Sequence, residues 1–304
     1  MATDPTASPT LTNWLSIAAL GVIWGGTFMV VTVALQGYGP VTVAAARTGL
    51  GALALLGMVL ALGRPWPRFD GRFLAFVLPI GALSSALPFF LLAWGQQHVS
   101  SAYAGLNMAA LPLFVLPLAH VFGDERLSLR KSLGFLVGFA GAAVLIAPGL
   151  TSGSGSAMEP FARLACLGAV MSYAVSSILT RRCPPVDPVV LSALGLIIGS
   201  AILTPPMLMT EGLPGWAGAR AGWALLFLGL VPTGLAALLR VLVIRSAGST
   251  FMTLVNYQVP VWSMVFGAAV LGELLPLRFF VALALILLGL AISQFGALRR
   301  LFAG

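Results

Sequence analysis

The chain has 304 residues, of which 59% are hydrophobic and 8% charged, with a formal net charge of +8 and a mean hydropathy of +1.03. A soluble domain carries roughly 25% charged residues, so this composition excludes a water-soluble fold and makes the bilayer the solvent. The positive balance then follows from membrane topology and anionic lipid, and requires no nucleic acid.

Apolar runs of roughly 17 to 25 residues predict ten helices, at about 13–35, 41–62, 73–94, 101–122, 130–148, 161–180, 188–209, 221–243, 250–271 and 278–297. The stretch Met1 to Leu11 has no basic residue, and the apolar run after it is too long for a cleaved signal. Trp24 and Thr27 fall near the middle of the first helix. A central tryptophan serves as cavity wall or as packing. The break from Gly37 to Pro40 leads into the second helix, where Arg47 is the only base clearly inside a span. A base nearer the centre costs about 2.5–3.5 kcal/mol to insert. Arg47 therefore needs carbonyls, waters or a substrate carboxylate, unless it snorkels to the headgroups.

The fourth helix places Tyr103 and Asn107 on one face at i,i+4, extended by Phe114, with Pro112 near its midpoint. Glu125 lies just beyond it, and a Gly/Ser run at 149–156 reads as a flexible linker between a first half, 1–150, and a second, 151–304. The sixth helix carries Ser172 and Tyr173 near its middle; the ninth carries Asn256, Tyr257 and Gln258 one turn before Pro260. Asn and Gln offer donors and an acceptor together, which suits a zwitterionic ligand, and they also serve as interhelical glue. Glu273 follows the ninth helix. It and Glu125 read as structural caps or gate charges, beside the first turn of the helix that comes next.

The second half repeats the first. At an offset of 148 residues, Pro112 meets Pro260, Glu125 meets Glu273, Pro40 meets Pro188, Gly81 meets Gly229, Ser101 meets Ser249 and Arg130 meets Arg278. Five helices per half start the second half from the opposite side, so the repeats are inverted, the geometry of alternating-access transporters. Pro112 and Pro260 each remove a backbone donor; their duplication favours paired hinges over static kinks. Lys and Arg outside the core crowd the side holding both termini, which places those termini in the cytoplasm.

Gly123-Asp-Glu-Arg-Leu-Ser-Leu-Arg130, Gly272-Glu-Leu-Leu-Pro-Leu-Arg278 and Trp24-Gly-Gly-Thr-Phe28 resemble the paired motifs of the drug/metabolite transporter superfamily, EamA type. Within it the chain is similar to YddG-type exporters of aromatic and other amino acids. Gly26 departs from the polar residue that often follows Trp-Gly in the first-helix motif. The resemblance implies helices 1, 3, 4, 6, 8 and 9 around a central cavity, with 5 and 10 outside.

Set against other classes, the sequence offers an enzyme little. His98 and His120 lie near helix ends, all acids lie in loops or termini, and Cys166 and Cys183 are wrongly placed for a metal site or disulfide scaffold. The expectation is a secondary carrier of the cytoplasmic membrane that exports aromatic or neutral amino acids, or similar small amphipathic metabolites. It has no cofactor, no metal and no carboxylate proton relay; its partners are small-molecule substrate and membrane lipid, as monomer or homodimer. Trp24, Thr27, Tyr103, Asn107, Tyr173, Asn256, Tyr257 and Gln258 are the expected substrate contacts. A channel or lipid scramblase with a polar seam is the competing class.

Overall fold

The computed structural model describes residues 9–122, 129–146 and 157–302, so Glu125 and the 149–156 linker lie outside the described residues. Ten helices run through the described part: α1 (Leu11–Ala34), α2 (Pro40–Ala61), α3 (Gly71–Gly95), α4 (Ser101–Phe122), α5 (Leu129–Ile146), α6 (Glu159–Arg182), α7 (Pro188–Thr210), α8 (Ala219–Gly248), α9 (Val255–Leu271) and α10 (Leu277–Phe302). Seven of them are long and apolar enough to cross a membrane, and α9 and the Leu277–Ser293 stretch of α10 are shorter apolar segments. This is an all-helical, multi-pass membrane fold.

The helix starts follow local chemistry. Pro40 and Pro188, which are repeat-related, open α2 and α7, where the missing N–H has no intrahelical partner to lose. Asp187 caps α7 by accepting from Val189 N at 2.8 Å, Asp70 caps α3 through Phe73 N at 2.7 Å, and Ser100 caps α4 through Tyr103 N at 3.1 Å. The expected start of α9 at 250 is corrected. α8 runs on to Gly248, whose φ of 87° breaks the ladder, and α9 proper begins at Val255 after a short turn.

Two compact units divide the chain, and each draws on both sequence halves. One holds α1 through Phe28, α4, α5, α8 from Leu238, α9 and α10; the other holds α1 from Met29, α2, α3, α6, α7 and α8 through Ala237. In the first unit, α5 and α10 touch at backbone level. A Cβ on Gly289 would sit 2.5 Å from the Gly134 carbonyl and the Gly138 amide, the close approach that small residues permit between membrane helices.

The second unit shows the repeat in its irregularities. α3 widens to a π-helical segment at Ala82–Ala86, followed by Pro88, and α8 does so at Gly229–Leu235, around Pro232. These segments are 148 residues apart in register. Against α8, Leu50 and Gly51 of α2 receive Gly229 and Thr233. Against α3, the equivalent Ile198 and Gly199 of α7 receive Gly81 and Ser85, and a Cβ on any of these four glycines would overlap its neighbour.

Candidate functional site

In the first unit, α1, α4 and α9 close on one another at Gly105. A Cβ there would overlap Ser263 of α9 and lie 2.9 Å from the ring of Phe28. The first two turns of α4, Ser101 to Asn107, are wholly buried. Asn107 is 0% exposed, and among the described residues neither its Nδ2 nor its Oδ1 has a hydrogen-bond partner. An amide buried in this way costs about 1–3 kcal/mol, so it marks a place where a polar ligand is expected. Tyr103 is also buried, with its ring 6.3 Å from Phe279. Phe114, beyond a 3₁₀ segment, packs against Ala110, Leu113 and Ala142.

Both repeat-related prolines follow a tightened turn. α4 passes through a 3₁₀ segment, Met108–Ala110, before Pro112. Ahead of Pro260, Leu254, Asn256 and Tyr257 donate to carbonyls three residues back, at 3.1, 3.0 and 3.2 Å. The same departure from α geometry before each proline fits the bending that a missing donor allows.

The expected cluster at 256–258 separates in space, since successive residues on a helix point about 100° apart. Gln258 fits the notch at Gly21 of α1, where its Oε1 would lie 2.6 Å from a Cβ, and Trp262 and Phe266 continue along Gly25 and Gly26. Tyr257 turns to Ala109, Ile286 and Leu290, and its hydroxyl is without a partner among the described residues. Asn256 is half-buried, as is Trp24, which shares the Gly21–Gly25 face by spacing. Thr27 donates to Ile23 O at 2.9 Å and is satisfied within its own helix.

Glu273 serves a different helix from the one expected. Its carboxylate accepts from Ser101 N at 2.7 Å and Ala102 N at 2.9 Å, so it caps α4 across the fold, where the sequence suggested the following helix. Gly272, at a φ of 67°, makes the turn that delivers it, and Gly267 leaves the room. Glu211 does the same for α2 in the second unit, accepting from Val41 N at 3.1 Å and Thr42 N at 2.8 Å. It lines a cavity of about 300 Å³ with Tyr38, Gly39, Thr42 and Trp216.

Tyr173 belongs to the second unit and accompanies Arg47. Arg47 does not snorkel. It is 9% exposed, its Nε donates to Thr233 Oγ1 at 3.0 Å, and its guanidinium carbon sits 3.9 Å over the ring of Phe89. Thr233 in turn donates to Leu228 O at 2.7 Å, five residues back, the carbonyl at the start of the π segment. Sequence reasoning missed Thr233, Ser85 and Phe89. The first two were within reach, since the 148-residue offset pairs them with each other. Among the described residues, no three His, Cys, Asp or Glu stand together as metal ligands would.

Comparison with known proteins gives consistent findings. The model of the EamA-like transporter family matches twice, over residues 12–147 and 160–295. The chain is 24% identical to the uncharacterized transporter YoaV of Bacillus subtilis, over 94% of this chain and 98% of that protein. It is 29% identical to the probable terminal-alkyne amino-acid exporter of Streptantibioticus cattleyicolor, over 84% of each. It is 25% identical to the uncharacterized inner membrane transporter YedA of Escherichia coli, over 92% of this chain and 90% of that protein. A crystal structure with 22% identity shares the fold at a TM-score of 0.65, covering 95% of this chain and 98% of the other.

Proposed function

The chain belongs to the EamA-like transporter family, and from that premise we propose that it exports amino acids, or small amphipathic metabolites like them, across the cytoplasmic membrane by facilitated alternating access. The observation that carries this reading is Asn107. Its amide is wholly buried, lacks a partner among the described residues, and lies five residues before Pro112 where α1, α4 and α9 meet. Oδ1 accepts from an ammonium and Nδ2 donates to a carboxylate, so one side chain answers both ends of a zwitterion. The name of the Streptantibioticus relative supports the same substrate class.

Bending at Pro112 and Pro260 opens one end and closes the other, with both termini in the cytoplasm. The described carboxylates lie at helix ends and hold backbone amides or basic side chains. Glu211 and Glu273 cap α2 and α4, Asp70 and Asp187 cap α3 and α7, and Asp187 also lies 3.6 Å from Arg64. Downhill export without a carboxylate relay fits that placement.

The test is counterflow of labelled L-phenylalanine, L-leucine and L-threonine in liposomes carrying the purified protein. Saturable exchange that ignores an imposed pH gradient, and falls at least about tenfold in Asn107→Ala while the protein's melting temperature holds, is the expected result. The proposal is overturned by flux that never saturates, or by wild-type exchange in the variant.

A further inference from the structure

The two joints of the second unit correspond position by position except at one place. Leu50, Gly51, Gly229 and Thr233 are matched 148 residues away by Ile198, Gly199, Gly81 and Ser85, but Arg47 is matched by Gly195. In the α3–α7 joint the Ser85 hydroxyl donates to the Gly195 carbonyl at 2.9 Å, backbone serving as acceptor. In the α2–α8 joint the hydroxyl receives the Arg47 Nε at 3.0 Å. Each joint thus closes with one hydrogen bond at a π-segment hydroxyl, accepted by Thr233 and donated by Ser85, and the glycine version does so with no charge in the membrane. The guanidinium exceeds what the joint requires.

What remains of it is unspent. A guanidinium has five N–H donors, and among the described residues Nε alone has a protein acceptor. The contact with Phe89 engages the guanidinium carbon and consumes no N–H. The described acids near α2 offer nothing, because Glu211 is occupied by the amides of Val41 and Thr42 at the helix start. Arg47 lies seven residues further in, about 10 Å along the axis. The Tyr173 hydroxyl is within electrostatic reach and carries no formal charge to balance it.

We infer that Arg47 is an anion-binding element within the second unit, its Nη edge receiving the carboxylate of the transported molecule. The inference rests on the transport reading and deepens it, since it makes a free carboxylate the feature the protein selects. A planar guanidinium fits a carboxylate through two parallel bonds, which a lysine would not reproduce. Thr233 fixes the Nε and so orients that edge, making it a positioning residue.

The test uses the full chain in lipid nanodiscs, with binding measured for L-phenylalanine, L-phenylalaninamide, phenylacetate and 2-phenylethylamine. Wild type should bind L-phenylalanine at least about tenfold more tightly than its amide, the worth of a charged hydrogen-bonded pair. That ratio should fall to about one in Arg47→Gln. Equal binding of acid and amide by wild type overturns the inference and leaves the amino-acid reading standing. A ratio preserved in Arg47→Gln overturns it as well. Phenylacetate bound in an Arg47-dependent way, with no binding of L-phenylalanine, upholds the inference and sinks the amino-acid reading. Failure of both carboxylate probes to bind wild type also overturns it. Should Arg47→Gln not fold, phenylglyoxal labelling of wild type decides: protection of Arg47 by the bound acid supports the inference, and labelling unchanged by it refutes it.

Discussion

The joint between α2 and α8 and the joint between α7 and α3 solve one packing problem twice, with different chemistry at one position. Both seat a hydroxyl residue of a π segment against a glycine of the neighbouring helix, Thr233 on Gly51 and Ser85 on Gly199. Both add a hydrogen bond across the pair, but one draws it from a buried guanidinium and the other gives it to a backbone carbonyl. The shared parts show what the fold demands, namely a side chain small enough for helices to touch and a hydroxyl to satisfy a π-segment carbonyl. The unshared part, Arg47, shows what one half carries beyond that demand.

The largest effect is expected at the glycines, where the joints are alike. Gly51→Val and Gly199→Val should each destabilise the protein by about 3 kcal/mol, the upper end of ordinary overpacking. Gly57→Val, with nothing within 4 Å of its Cβ, should stay within about 0.5 kcal/mol. Unfolding titrations in mixed micelles would read all three. A tolerated Gly51→Val beside a damaging Gly199→Val would break the equivalence. The hydroxyls come next, and here the joints should part. Ser85→Ala loses its donations to Gly81 O and Gly195 O, at about 1 kcal/mol for neutral groups. Thr233→Val leaves a buried cation without its acceptor and should cost about 2 kcal/mol. Equal losses would mean that Arg47 finds another partner once Thr233 is gone.

Much of this architecture was legible from the chain. Apolar run length and the breaks at Gly37–Pro40, Pro184–Pro188 and Glu211–Gly215 located the helices, because the bilayer leaves a segment few alternatives to spanning it. The expected start of α9 at 250 sits close to the break at Gly248, but a turn at Thr253 and Leu254 follows and defers the helix proper to Val255. The π segments escaped notice since a proline announces a missing donor without saying whether the ladder bends or widens. Asn107 was readable as a buried amide. The separation of Tyr257 from Gln258, and the capping of α4 by Glu273, depend on which helices become neighbours, and no local pattern records that.

Within the two joints, the smallest stability effect is expected at Arg47 itself. Placing a base at a membrane helix centre costs about 2.5–3.5 kcal/mol. Against that stand one hydrogen bond to a charged group, worth about 1.5–3 kcal/mol, and a ring contact worth about 0.5–2 kcal/mol. These nearly cancel, and Met keeps the length that packs against Phe89. Arg47→Met should therefore shift stability by less than about 1 kcal/mol in the same titrations, below the cost of Thr233→Val although the two changes remove the same bond. The order follows from what each leaves behind: deleting the cation leaves a hydroxyl that still donates to Leu228 O, whereas deleting the hydroxyl leaves a charge. The double variant Arg47→Met, Thr233→Val should accordingly be more stable than Thr233→Val alone. A double variant less stable than either single one would show that the guanidinium is a structural part of the joint, and that its glycine counterpart is the exception.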